Sequence, residues 1–164
     1  MSKQHLLTKR EYRHRIADIL VQARAVAIEY YCLTGRPLGI TGEIGECEAV
    51  RLLKLEPAQV REAGFDAKEG SRRLQIKSRC IPATAKTLSG QRIGSINTGK
   101  QWDAVVLVLM DHKFNPTAIY EAGRKAVCKA LAAPGSKARN VRGALSVSKF
   151  KSIGRKRWPP KGVS

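Results

Sequence analysis

Acidic residues are scarce in this chain, and their scarcity limits the classes of partner it can have. Only 13 of the 164 residues are Asp or Glu, against 31 Lys or Arg, which leaves a formal net charge of +18 at pH 7. Such an excess favours a polyanionic partner, because each phosphate that is neutralised releases counterions. The sequence contains no long amphipathic basic helix, so a membrane surface is not expected as the partner.

Paired cysteines and long apolar runs are also missing. The four cysteines are widely spaced and form no CxxC pair, and no histidine stands at ligand spacing from them. This pattern indicates buried thiols in a reducing compartment and argues against a zinc site or a disulfide framework. The longest apolar run, 104–110, is too short to cross a bilayer, and the N-terminus has no apolar signal core. We therefore expect a cytoplasmic protein.

The hydrophobic pattern predicts one α/β domain over residues 1–148, with a central sheet flanked by helices, followed by a basic tail over 149–164. An N-terminal helix over 11–34 is expected to cover one face of the sheet, with a dimer contact as the alternative. Its apolar stripe consists of Ile16, Ile19, Leu20, Ala23, Val26, Ala27, Tyr30 and Tyr31. The other predicted elements are an acidic helix over 41–55 with Thr41 as its N-cap, a hairpin over 64–81, core strands over 103–121 and a helix over 123–132.

The hairpin carries the most distinctive pattern in the chain. From Arg72 onward the side chains alternate with period two, so that Gln75 and Lys77 share one face with two arginines while apolar side chains occupy the other. Asp66, in the first strand, is expected to come alongside Gln75 and Lys77. A carboxylate, a second oxygen ligand and a lysine on adjacent strands would hold a divalent metal beside a phosphate. The alternative is an ordinary solvent-facing row of polar residues.

Asp66, eight intervening residues and then Gln75-Ile76-Lys77 resemble the D…(D/E/Q)xK signature of the restriction-endonuclease-like, or PD-(D/E)xK, nuclease superfamily. The glutamine is similar to that of the modification-dependent restriction enzymes in this superfamily. The resemblance spans roughly residues 40–121. It implies a restriction-endonuclease-like core with a mixed sheet, and an endonuclease that hydrolyses phosphodiester bonds with Mg²⁺ or Mn²⁺. On family grounds DNA is favoured over RNA, and cleavage of both strands would call for a homodimer.

The resemblance also implies a role for each residue of the motif. Asp66, the side-chain carbonyl of Gln75 and the backbone carbonyl of Ile76 would bind the metal. Lys77 would orient the attacking water or stabilise charge on the phosphate. A neutral amide is a poorer Mg²⁺ ligand than a carboxylate, so the site would depend more heavily on its acids.

A helix glutamate completes the metal site in this superfamily. Several acids crowd the first turns of the 41–55 helix, which the helix macrodipole alone would favour. Glu46 projects into an apolar arc, but Glu48 does so as well, and the pattern does not single out one of them. By its distance from the last leucines of the helix Glu46 fits the resemblance best, and Glu43 second.

Basic side chains outside the motif are expected to contact the flanking phosphates. We expect Asp103 to cap the end of a strand, Trp158 to pack on the domain, and the polar loop 81–99 to be either a flap over nucleic acid or a solvated insertion. The predicted phosphate contacts are Arg73, Arg79, Lys100, Lys149, Lys151, Arg155, Lys156 and Arg157.

A second hypothesis is a non-catalytic nucleic-acid-binding protein that keeps the nuclease fold. The net charge and the neutral Gln75 both suit it, and dependence on metal distinguishes it from an enzyme. Ribosomal-type RNA binding is a third class, which the buried strand at 104–110 disfavours.

Overall fold

The computed structural model describes residues 8–35, 38–59, 64–81, 90–133 and 144–160. Within these ranges there are four helices and six strands. The helices are α1 (Lys9–Thr34), α2 (Thr41–Leu53), α3 (Arg124–Ala132) and α4 (Val147–Ile153). The strands are β1 (Glu56–Pro57), β2 (Ala67–Glu69), β3 (Arg72–Cys80), β4 (Ala104–Met110), β5 (Pro116–Gly123) and β6 (Arg155–Trp158). The predicted α/β class is confirmed.

The strands form one open mixed sheet in the order β1-β2-β3-β4-β5-β6. Strands β3 and β4 are parallel, and all other neighbouring pairs are antiparallel. The β2–β3 hairpin turns at Gly70, whose φ of 59° lies in the left-handed region that favours glycine. Only residues 72–74 of β3 pair with β2. The edge of β3 is therefore unpaired over 75–80 within the described part of the sheet.

The sheet separates two hydrophobic cores, and β4 contributes to both. Its residues alternate between the α2 side, as Val106 does, and the opposite side, as Leu107 does, and all seven are buried. On the α2 side the first core includes Ile44, whereas α3 and α4 supply residues such as Phe150 to the second. The prediction of a strand buried on both faces is confirmed.

The C-terminal region differs from the predicted basic tail. Residues 147–153 form α4 and residues 155–158 form β6, which pairs with β5. Val147 and Phe150, three residues apart, give this basic stretch an apolar helix face, and both are fully buried. Trp158 packs against the first core, as predicted. The domain therefore extends at least to Pro160, the last residue described there.

The helix ends differ slightly from the sequence prediction. Helix α1 starts at Lys9, because Thr8 and Glu11 form a capping box there. The N-cap position of α2 is Ile40, so the prediction of Thr41 as the cap was wrong. That helix ends at Leu53, two residues earlier than predicted. In the described ranges no helix combines the length and apolar character needed to span a bilayer.

Candidate active site

Asp66 lies directly before β2 and faces the unpaired edge of β3. Its backbone N–H donates to the Leu74 carbonyl at 2.9 Å, and its Oδ2 accepts a hydrogen bond from the backbone N–H of Ile76 at 2.6 Å. The N–H and C=O of one strand residue point to the same side, so the Ile76 carbonyl also faces this edge. An ionised carboxylate has about four acceptor sites, so Asp66 keeps capacity for a cation.

Gln75 carries an unusual buried polar atom. The residue is only 9% exposed, and its Oε1 accepts no hydrogen bond within the described part of the chain. Leaving such an atom unsatisfied costs about 1–3 kcal/mol. A buried acceptor without a partner requires an explanation. One explanation is a bound cation that takes the place of the missing hydrogen-bond donor.

Glu46 is the helix acid that interacts with the hairpin. Desolvation by surrounding protein atoms, together with the negative charges of Asp66 and Glu43, raises its pKa from 4.5 to about 7. The positive charge of Lys77 acts in the opposite direction. The residue still borders solvent. Asp66 and Lys77 therefore lie close enough to Glu46 for their charges to act on its pKa.

Glu48, which the sequence could not distinguish from Glu46, is engaged elsewhere. Its side chain is 10% exposed and forms ion pairs with Arg24 and Arg51, both at 2.6 Å. The Arg24 contact links α1 to α2, and the two contacts together engage both carboxylate oxygens. Glu43 is exposed and close enough to Glu46 to raise its pKa.

Lys77 lies two residues beyond Gln75 on the same face of β3, and it is half-buried. The described part of the predicted 81–99 loop passes beside it, since a β-carbon built at Gly94 would lie 3.8 Å from the Lys77 Cδ. Ile93 and Ile96 are buried in the second core, so this part is packed on the domain and is not a solvated insertion. Residues 82–89 lie outside the described ranges.

The position of Glu46 depends on its neighbour Gly45, which the sequence analysis did not single out. The Ser78 hydroxyl donates to the Thr41 carbonyl at 2.7 Å, and Gly45 lies directly against Ser78. This close approach brings α2 onto β3 beside the unpaired edge. The only signal in the sequence was a glycine inside a helix, which costs about 1 kcal/mol relative to alanine.

The donor set of the site is mixed. Asp66 and Glu46 supply carboxylates, Gln75 an amide oxygen and Ile76 a backbone carbonyl, all of them oxygen ligands that Mg²⁺ accepts. Among the described residues, no three His, Cys, Asp or Glu side chains form a group that could hold a metal. A cation bound here would therefore need the neutral oxygens, and the unpartnered Oε1 of Gln75 fits that need.

The predicted phosphate contacts fall into two groups. Five are engaged within the chain: Arg73 bonds Asp103 and Gln101, Arg79 bonds Gln91, Lys151 lies over the Tyr120 ring, Arg155 pairs with Glu121, and Arg157 pairs with Glu69 and Glu121. The first of these contacts agrees with the role predicted for Asp103 at the end of a strand. The other three are exposed: Lys100, Lys149 and Lys156.

No protein-family model matches the chain, and no curated protein is significantly similar to it.

Proposed function

We propose that this protein is a metal-dependent nuclease with a restriction-endonuclease-like core, acting on DNA. The observation that carries the proposal is the buried Oε1 of Gln75, which has no partner among the described residues. Gln75 directly precedes Ile76, whose N–H binds Asp66, and stands two residues before Lys77 on β3. A purely structural row of polar residues would have no need of a buried acceptor without a partner. The net charge of +18 supports a phosphate-rich substrate.

Asp66, Glu46, the Gln75 amide oxygen and the Ile76 carbonyl would hold Mg²⁺ or Mn²⁺. When bound, such an ion polarises a phosphate and lowers the pKa of a water molecule. The hydrogen bond from Ile76 to Asp66 fixes the orientation of that carboxylate. Glu46 must be ionised to bind a cation, and the cation would in turn lower its pKa, which is about 7 in the metal-free protein.

Lys77 supplies the positive charge of the site. Its stem packs beside Gly94, and its ammonium group lies near enough to Glu46 to lower the pKa of that acid. From this position it would donate a hydrogen bond to a phosphate oxygen or to the attacking water. Arg79, exposed on the same face of β3, would bind an adjacent phosphate.

A cleavage assay on labelled duplex DNA tests this proposal. Asp66→Asn preserves size and removes the ligand charge, so Mg²⁺-dependent cleavage is expected to fall by about 10²-fold or more. Asp18→Asn, at an exposed aspartate of α1, is the matched control and should cut like the wild type. Equal cleavage by wild type and Asp66→Asn would refute the assignment.

A second candidate is a nucleic-acid-binding protein without catalysis. The neutral Gln75 and the lack of a three-residue metal cluster among the described residues favour it. In that case binding would be independent of divalent metal, and Asp66→Asn would leave affinity unchanged or raise it by removing a negative charge.

A further inference from the structure

Helix α1 presents an apolar surface that the described part of its own domain does not cover. Ala27 is buried, and Leu20 and Ile28 pack against the first core beside α2. Half of the predicted stripe is exposed instead, contrary to the expectation that it would cover the sheet. The large exposed apolar side chains of this helix are Tyr12, Ile16, Ile19, Val21, Val26, Tyr30 and Leu33.

All but one of these exposed residues, Val21, fall on a seven-residue repeat. Together with half-buried Ala23 they stand at alternating spacings of four and three, which is the pattern of a coiled-coil seam. The repeat consists of Tyr12, Ile16, Ile19, Ala23, Val26, Tyr30 and Leu33. This seam, which we call the α1 seam, runs for about 30 Å along the helix. A strict seven-residue repeat fits another helix better than a flat surface, because its side chains insert between those of a partner helix.

We propose that the α1 seam binds the α1 seam of a second copy of this chain, in antiparallel orientation. One antiparallel register places Tyr12 opposite Tyr30, Ile16 opposite Val26 and Ile19 opposite Ala23 of the second copy. Each contact then occurs twice about a two-fold axis, as a closed dimer requires.

Charge complementarity selects this orientation. The positions that flank the seam on its solvent side are Arg15, Gln22 and Glu29, all exposed. In the antiparallel register Arg15 meets Glu29 of the second copy, twice, and Gln22 meets its own counterpart. In a parallel pair Arg15 would face Leu20 and Glu29 would face Thr34, without any opposite charge. The inference does not depend on the proposed nuclease activity.

Charge reversal tests the orientation without disturbing the fold, because the two residues are exposed. We expect the full chain to be a dimer by sedimentation and light scattering across a concentration series. Arg15→Glu or Glu29→Arg alone should weaken dimerisation by about tenfold, since two attractive pairs become repulsive. The double variant, Arg15→Glu with Glu29→Arg, should restore it. Ile19→Asp, at a seam position 51% exposed, should give a folded monomer.

Cross-linking provides a second readout. In a Cys32→Ser background, mixing Arg15→Cys protein with Glu29→Cys protein should give a disulfide-linked heterodimer more readily than either protein alone. A wild type that is monomeric throughout the series would overturn the proposal. So would a dimer that is insensitive to Ile19→Asp, or one in which the double reversal fails to rescue the single variants.

Discussion

Gly45 of α2 lies so close to Ser78 of β3 that no side chain fits at position 45. A β-carbon built there would lie 2.7 Å from the Ser78 hydroxyl oxygen, which itself donates to the Thr41 carbonyl at 2.7 Å. The contact sets the distance between α2 and the strand that carries Gln75 and Lys77. It therefore determines where Glu46, the next residue of the helix, meets the hairpin.

Gly45→Ala should displace α2 from β3. Overpacking of this kind costs about 1–3 kcal/mol in the free energy of unfolding, and it should reduce metal-dependent cleavage by moving Glu46. Gly42→Ala is the matched control, since nothing lies within 4 Å of a β-carbon at that position of the same helix. It should stabilise the protein by about 0.5–1 kcal/mol and leave cleavage unchanged. Denaturant unfolding and cleavage rates of the two variants would check this. Equal changes in unfolding free energy and in cleavage rate for Gly45→Ala and Gly42→Ala would contradict it.

Gln75→Met should separate stability from function. It replaces an amide whose buried oxygen has no partner among the described residues by an apolar side chain of similar shape, so the free energy of unfolding should stay the same or rise by about 1 kcal/mol. Cleavage and Mn²⁺ affinity, measured by calorimetry, should both fall. A marked loss of stability would show that the amide has a structural partner outside the described residues.

Glu46 should make stability depend on pH in the metal-free protein. Its pKa is about 7 in the folded state, against an ordinary value of 4.5. Between these values the unfolded chain has released the proton while the folded protein retains it, so the contribution of Glu46 to stability falls as pH rises. Above the folded pKa the whole penalty is present. Glu46→Gln removes it and should therefore exceed the wild type in thermal stability above that pH and match it below 4.5. A stability difference independent of pH would contradict the cause given for the shift.

Lys156 and Arg157 are neighbours with different expected roles. Arg157 is half-buried and pairs with Glu69 and with Glu121, whose side chain is 5% exposed. Arg157→Ala should cost about 2 kcal/mol of stability because it removes one partner of a buried pair. Lys156 is exposed, so Lys156→Ala should leave stability unchanged. It should reduce the slope of log K for DNA binding against log salt concentration by about one, because one phosphate contact is lost. If Arg157→Ala instead lowered the salt dependence of binding and Lys156→Ala lowered stability, Arg157 would be the residue that contacts nucleic acid.

The elements predicted most accurately are those whose structure depends only on their own residues. The uninterrupted apolar run of β4 and the alternation of β3 each fix a strand and its faces, because side chains in strands have a period of two. The same alternation placed Gln75 and Lys77 on one face. These features need no knowledge of distant residues.

Long-range contacts account for what the sequence did not show. The arginines of β6 pair with the buried Glu121 of β5, whereas composition alone made this stretch resemble a basic tail that contacts phosphates. Glu46 and Glu48 have similar apolar neighbours in the sequence. They are distinguished only by Arg24 of α1, which pairs with Glu48, and by Asp66 of the hairpin, which lies near Glu46.

Cleavage of plasmid and branched DNA in Mg²⁺, Mn²⁺ or EDTA, by wild type and Lys77→Ala, tests the central claim most directly. Binding is measured in the same samples, and Lys113→Ala, at an exposed lysine of the β4–β5 turn, serves as the control. We predict metal-dependent cutting by the wild type and the control, and a loss of about 10²-fold or more in Lys77→Ala with binding retained. Binding without cutting in any metal, unaffected by Lys77→Ala, would contradict the account.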